Sequence, residues 1–194
     1  MKYIMFLLLS VLGLFSSSAF AWDTNMSLGY YNYSFELDSC SSTADPAYCS
    51  GSSFDDEDTM MFGVSGYSGK DGFSYGYNFA FGKHSTLFGA LRYNVGALNL
   101  VGGYGLLLLT DPPAAKYGNN TATFVNSDNH PSGYKLGADY IIDASHRVSL
   151  EYMQFEFDTV QLYPVVRSGV LVHEGINAAT VTATVISLNW QYMF

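Results

Sequence analysis

The side chains capable of chemistry are few and scattered. His146, Ser149 and Glu151 supply a base, a hydroxyl and an acid close together in sequence. Nucleophilic catalysis needs those three types within hydrogen-bond reach of one another. His84-Ser85 supplies a base and a hydroxyl with no acid adjacent in sequence, and His130 and His173 stand apart from both sets. Asp55, Asp56, Glu57 and Asp58 form a dense acidic run. Carboxylates in that density suit weak Ca²⁺ or Mg²⁺ binding, but the spacing is not that of an EF-hand loop, and a solvated loop edge is the plainer reading. Arg92, Lys135, Asp139 and Glu151 are isolated charges in stretches otherwise poor in charge.

Composition narrows what these residues can be doing. The 194 residues fit one domain. Only 13% are charged against 48% hydrophobic, about half the usual quarter, which argues against an ordinary soluble surface. Lys and Arg number 8 and Asp and Glu 17, a net charge of -9, so there is no basic face for nucleic acid. The apolar residues do not gather into runs of about twenty, which argues against a helical membrane protein.

The first residues read as an address. Lys2 is a short basic region, Tyr3 to Phe15 an apolar stretch, and Ala19-Phe20-Ala21 an A-x-A cleavage pattern. Residues 1–21 are therefore expected to be a signal peptide and 22–194 the mature domain, starting at Trp22. An uncleaved anchor would need a longer apolar run. An exported chain meets an oxidising compartment, so Cys40 and Cys49 are expected to form a disulfide. Closing so short a loop stabilises by about 2–3 kcal/mol in the chain-entropy model. Two thiols with no His nearby make a poor zinc site.

A period of two runs through the mature chain. Phe73, Tyr75, Tyr77, Phe79 and Phe81 alternate with Ser74, Gly76, Asn78, Ala80 and Gly82. Successive strand residues face opposite ways, so one face is wholly aromatic and the other small or polar. The same division recurs around Leu87–Val95, Tyr134–Ile142, Val148–Tyr152 and Ile186–Phe194. The small face is too sparsely charged for a solvated exterior. The economical arrangement is apolar side chains outward to lipid, and small and polar ones inward to a narrow lumen.

The breaks predict eight strands, at 25–36, 58–67, 72–82, 86–94, 98–109, 133–142, 147–157 and 178–194. The alternation is weaker in the first, second and fifth; Leu106 to Leu109 are apolar on both faces. Loops near 37–57, 83–85, 110–132 and 158–177 alternate with short turns, and all five prolines fall in the long loops, where no ladder donor is missed. Tyr163 to Val172 read as two extended pieces around Arg167-Ser168-Gly169, which suggests a hairpin above the membrane; the plainer reading is that the seventh and eighth strands simply continue past the bilayer. In hydrocarbon every backbone polar group needs a partner, so the sheet must close. The fold class is all-β, an eight-stranded antiparallel up-and-down transmembrane β-barrel.

The ending Leu188-Asn189-Trp190-Gln191-Tyr192-Met193-Phe194 is the most specific motif. With the signal peptide and eight strands, it resembles the small eight-stranded bacterial outer-membrane barrels, typified by outer membrane proteins X, A and W. The resemblance covers the whole mature chain as an architecture. It implies residence in the outer membrane among lipid and lipopolysaccharide. It also implies that Trp190, Tyr192 and Phe194 are the signal read by the barrel assembly machinery. Some such barrels are lipid-modifying enzymes, but His146 sits at the short-turn end while Ser149 and Glu151 point inward. No catalytic set, cofactor or metal is therefore expected. Arg92, Lys135, Asp139 and Glu151 fall on the inward parity and are expected to pair across the lumen, with Arg92 touching Asp139 or Glu151, because unpaired charge is expensive there. Counted from the strand ends, Arg92, Asp139 and Glu151 lie near mid-depth and Lys135 nearer the loop end. The favoured function is a non-enzymatic barrel whose loops meet an extracellular protein ligand or serve envelope integrity. The second is a narrow channel for small or hydrophobic solutes, and the third a lipid-modifying enzyme.

Overall fold

The computed structural model describes residues 23–41, 52–70, 72–109, 114–117, 120–126, 130–157, 160–162, 165–167, 170–173 and 178–194. The expected signal peptide at 1–21 and the Cys40–Cys49 disulfide, through Cys49, lie outside them. Eight long strands carry the fold: β1 (Asp23–Ser41), β2 (Glu57–Lys70), β3 (Phe73–Phe81), β4 (His84–Val95), β5 (Leu98–Leu109), β6 (Ser132–Ile141), β7 (His146–Phe157) and β8 (Ala178–Met193). Each pairs antiparallel with the next, and β8 pairs with β1 from Asn25↔Met193 to Ser41↔Ala178, closing the barrel.

The division of faces follows the alternation. Phe73, Tyr75 and Trp190 are each 50% exposed and Leu136 58%, whereas Gln191 is 5% exposed and Ser149 fully buried. The ambiguous end of β5 resolves with Leu106 outward and Leu107 inward. An apolar belt of this extent is stable only against lipid.

The interior departs from the expectation of a small, polar lumen. On the long-loop half, the inward apolar side chains Tyr31, Tyr33, Phe35, Met61, Phe88, Leu107, Met153, Phe155, Phe157, Val181 and Val185 pack as one cluster, with His84 and Thr86 buried beside them. Closure explains this: eight strands leave a bore that side chains must fill. The fit alternates large with small. Phe88 lies opposite Gly105 in the register and Phe155 opposite Gly133. A Cβ at either glycine would sit 2.7 Å from the neighbouring ring.

The long connections carry short strands of their own. Val160–Leu162, Asn120–Asn126, Ala114–Tyr117 and Ser52–Phe54 form a four-stranded sheet in that order, and Val165–Arg167 pairs with Val170–His173 as a hairpin. Three separate loops are thus joined by backbone pairing. The turns at the other end are tight. Between β6 and β7, the Asp143 carboxylate accepts the N–H groups of Ser145 at 2.7 Å and His146 at 2.9 Å. The Ser145 N–H, then the His146 ring, hold its carboxyl below the ordinary range.

A carboxyl chemical-shift titration of Asp143 should therefore have its midpoint below the ordinary value of about 3.9. The stabilisation is present above that ordinary value and is lost as pH falls through the lower folded one; a midpoint at or above 3.9 would show that the turn bonds do not hold. On the belt, Leu136→Arg should destabilise by about 2–4 kcal/mol in urea titrations from lipid vesicles. A change within about 0.5 kcal/mol, as on a soluble surface, would place that face in water.

Candidate functional site

Beneath the apolar cluster the lumen turns polar. Lys135 points inward from β6 and is fully buried; its Nζ lies 2.7 Å from Glu151 Oε1 on β7 and 5.4 Å from the Phe88 ring centroid. Glu151 Oε2 accepts the Ser187 hydroxyl at 3.4 Å, and Asn189 Nδ2 donates to the same Ser187 oxygen at 3.0 Å. Gln191 Nε2 donates to Ser149 Oγ at 3.0 Å. These donors come from β6 and β8 and the acceptors from β7 and β8, so the network ties three neighbouring strands across their inner faces.

A second charged tier lies nearer the short turns. Arg92 Nη2 is 2.8 Å from Asp23 Oδ2, and Arg147 Nη2 reaches the same oxygen at 3.2 Å. Arg92 Nε donates to Ser74 Oγ at 3.1 Å, and its guanidinium stacks 4.3 Å over the Tyr67 ring. The expected contact of Arg92 with Asp139 or Glu151 is not made. Arg92 sits three residues from the end of β4, and Asp139 two from the end of β6. Both are nearer the short turns than the mid-depth expected of them, while Glu151 lies one tier away with Lys135. Asp139 is buried without a hydrogen bond to Oδ1.

Two members of this tier were missed by inspection of the sequence. Asp23 lies just outside the strand read as starting at 25. Arg147 was legible, because it shares parity with Ser149 and Glu151.

The candidate catalytic residues are not assembled. His146 holds its Nδ1 3.0 Å from Asp143 and packs its ring 5.4 Å from Trp190 on the outer face, whereas Ser149 is inside the barrel. His84 belongs to β4 rather than to a loop and is fully buried. Its acid, invisible in the local sequence, is Glu57 of β2, whose Oε2 lies 3.0 Å from His84 Nε2 and 2.8 Å from Lys83 Nζ. Ser85 faces the other way, as strand alternation requires. His130 is exposed, and the His173 side chain lies outside the description.

The acidic run is divided in the same way. Glu57 turns to His84 and Lys83, while Asp58 accepts from Asn32 Nδ2 at 2.8 Å. Among the described residues no three His, Cys, Asp or Glu side chains gather to hold a metal. At the C-terminus, Trp190, Tyr192 and Phe194 all point outward, at 50%, 44% and 72% exposure.

No family model matches the chain, and no curated protein sequence does. Among solved structures, the solid-state NMR structure of outer membrane protein AlkL in lipid bilayers aligns over 92% of this chain and 93% of its own, with a TM-score of 0.53 and 14% identity. Neisserial surface protein A aligns over 88% and 97%, with a TM-score of 0.46 and 7% identity. OprG from Pseudomonas aeruginosa aligns over 90% and 97%, with a TM-score of 0.44 and 13% identity. The fold is that of the small eight-stranded bacterial outer-membrane barrels, and the apolar belt sets it in a bilayer.

Removing one partner of a buried pair leaves the other charge uncompensated, which typically destabilises by about 3–5 kcal/mol. Glu151→Gln should show that loss in urea unfolding. The double variant Lys135→Met, Glu151→Leu should recover most of it, since apolar replacement of a buried pair is often neutral or better. A Glu151→Gln variant as stable as the parent would mean Lys135 reaches water.

Proposed function

We propose that this outer-membrane barrel is a closed, non-enzymatic anchor that carries its long loops outside the cell for surface recognition or envelope integrity. The observation that supports the reading is the packing of the loop-side half of the lumen. The fully buried Lys135–Glu151 pair lies directly under a dry aromatic and aliphatic cluster. An ion crossing here would have to shed water twice, at the apolar half and again at a satisfied ion pair. With the loop-side half filled, recognition from that side is left to the rim.

The loops favour that role. Outer-membrane barrels keep short turns on the periplasmic side and longer loops outside, which orients the four-stranded loop sheet outward. Backbone pairing between loops limits their freedom before any ligand arrives, so less ordering entropy is lost on binding. The Val165–Arg167 and Val170–His173 hairpin offers a strand edge to an extracellular protein by strand addition. On this reading the belt meets outer-membrane lipid and lipopolysaccharide, and the assembly machinery reads Trp190, Tyr192 and Phe194. A serine-histidine enzyme would need the hydroxyl within reach of the base; His146 and Ser149 lie on opposite faces of one strand.

Purified protein in planar bilayers should give no steady openings, and Arg92→Ala should stay silent, because Arg92 lies below the seal. Steady single-channel steps from the parent protein would favour the channel reading instead. An epitope inserted in the 158–177 connection should be labelled on intact cells; labelling only after lysis would reverse the orientation. Lipid A from cells with and without the protein should be identical.

A further inference from the structure

The short-turn mouth of the lumen holds a cavity of about 190 Å³, with Ser74, Arg92, Asn94, Asn99, Ile141 and Arg147 in its wall. The turn residues Gly69 and Gly72 also line it and are exposed, so it is reached from the aqueous side. Among the described wall residues the side-chain atoms left over are all donors; Asp139 Oδ1, a leftover acceptor of the same tier, lies outside the wall. Arg92 Nη1, Arg147 Nε, Arg147 Nη1 and Asn99 Nδ2 are all buried N–H donors without an acceptor among the described residues. Asn99 is 2% exposed and Arg147 7%. Their other atoms are occupied. Asn99 Oδ1 accepts from Asn94 Nδ2 at 2.9 Å, and both arginines spend Nη2 on Asp23 Oδ2.

Buried donors in proteins are nearly always satisfied, and four of them around one aqueous cavity call for an acceptor-only group from outside. We infer that this cavity is a binding site for a small free oxyanion, of the carboxylate or phosphate class. The guanidinium fork matches two oxygens of such a group at once, and the amide of Asn99 takes a third contact. Asp139 lies opposite Asn99 in the β5–β6 register and, with Asp23, brings the local charges close to balance. Recognition therefore rests on directed N–H groups more than on net positive charge, which favours ions that present several oxygens over chloride.

The test is calorimetric titration of the folded protein in detergent micelles with inorganic phosphate and, separately, acetate, in chloride buffer of constant ionic strength. Saturable binding of at least one oxyanion at one site per chain is expected. Arg147→Gln should weaken it about tenfold, the loss of charge-assisted hydrogen bonds. Asn99→Ala removes one neutral donor, leaves every charge in place, and should weaken it about threefold. If Arg147→Gln does not fold, as judged by far-ultraviolet circular dichroism, Asn99→Ala decides alone. No saturable heat with either ion, or folded variants that bind as tightly as the parent, would overturn the site.

Discussion

The pairing of β1 with β8 is the contact on which the rest of the molecule depends. In hydrocarbon an unpaired N–H or C=O loses several kcal/mol with no water to recover it. A sheet of eight strands with two free edges would expose a row of such groups on each edge. The ladder from Asn25↔Met193 to Ser41↔Ala178 removes both edges together. No single side-chain interaction competes with that sum. The order of the strands and the outward direction of the apolar residues follow from it.

Closure then sets a second condition, because the enclosed bore has to be filled. Lipid imposes only apolarity on the outer face, but the inner face must match in volume, residue against residue. Phe88 beside Gly105 and Phe155 beside Gly133 show the device: a ring from one strand occupies the space its neighbour leaves empty. The chemistry of the filling changes along the axis. The long-loop half is dry, and the Lys135–Glu151 pair sits at its floor, screened from water on the loop side. Toward the short turns water approaches, and arginines, amides and hydroxyls take over. A carboxylate at the very start of β1 reaches arginines of both β4 and β7, so the first strand is linked through the lumen to strands that are not its neighbours in the sheet.

Alternation made the outer surface legible, because lipid asks for one property at every second position. The belt residues Phe73, Tyr75, Leu136 and Trp190 could be read from that rule alone, while the breaks in the pattern set β5 at its observed bounds and β7 one residue short at its start. The inner surface was harder for a physical reason. Where the lumen is polar, parity picks out Lys135, Glu151 and Arg147. Where it is apolar, as along Tyr31, Tyr33 and Phe35 or Met153, Phe155 and Phe157, the intervening positions are Asn32 and Ser34 or Gln154 and Glu156, so the apolar parity passes from the outer face to the inner one and the alternation breaks within the strand. The weak periodicity of the first strand was the trace of the plug and not of a poor strand. Partners across the lumen lay beyond reach for a different reason. Arg92 meets Asp23, and His84 meets Glu57, through register and barrel curvature, neither of which local sequence encodes.

Filling the bore also separates the two ends of the molecule. A dry cluster of interlocked side chains transmits little to a ligand approaching from one side, since close-packed interiors yield only by discrete rearrangement. The loop sheet at one mouth and the arginine-lined cavity at the other are therefore built from different residues. Such independence lets the loops change while the wall that holds them stays the same, because the wall answers to lipid and to its own volume, and the loops to neither.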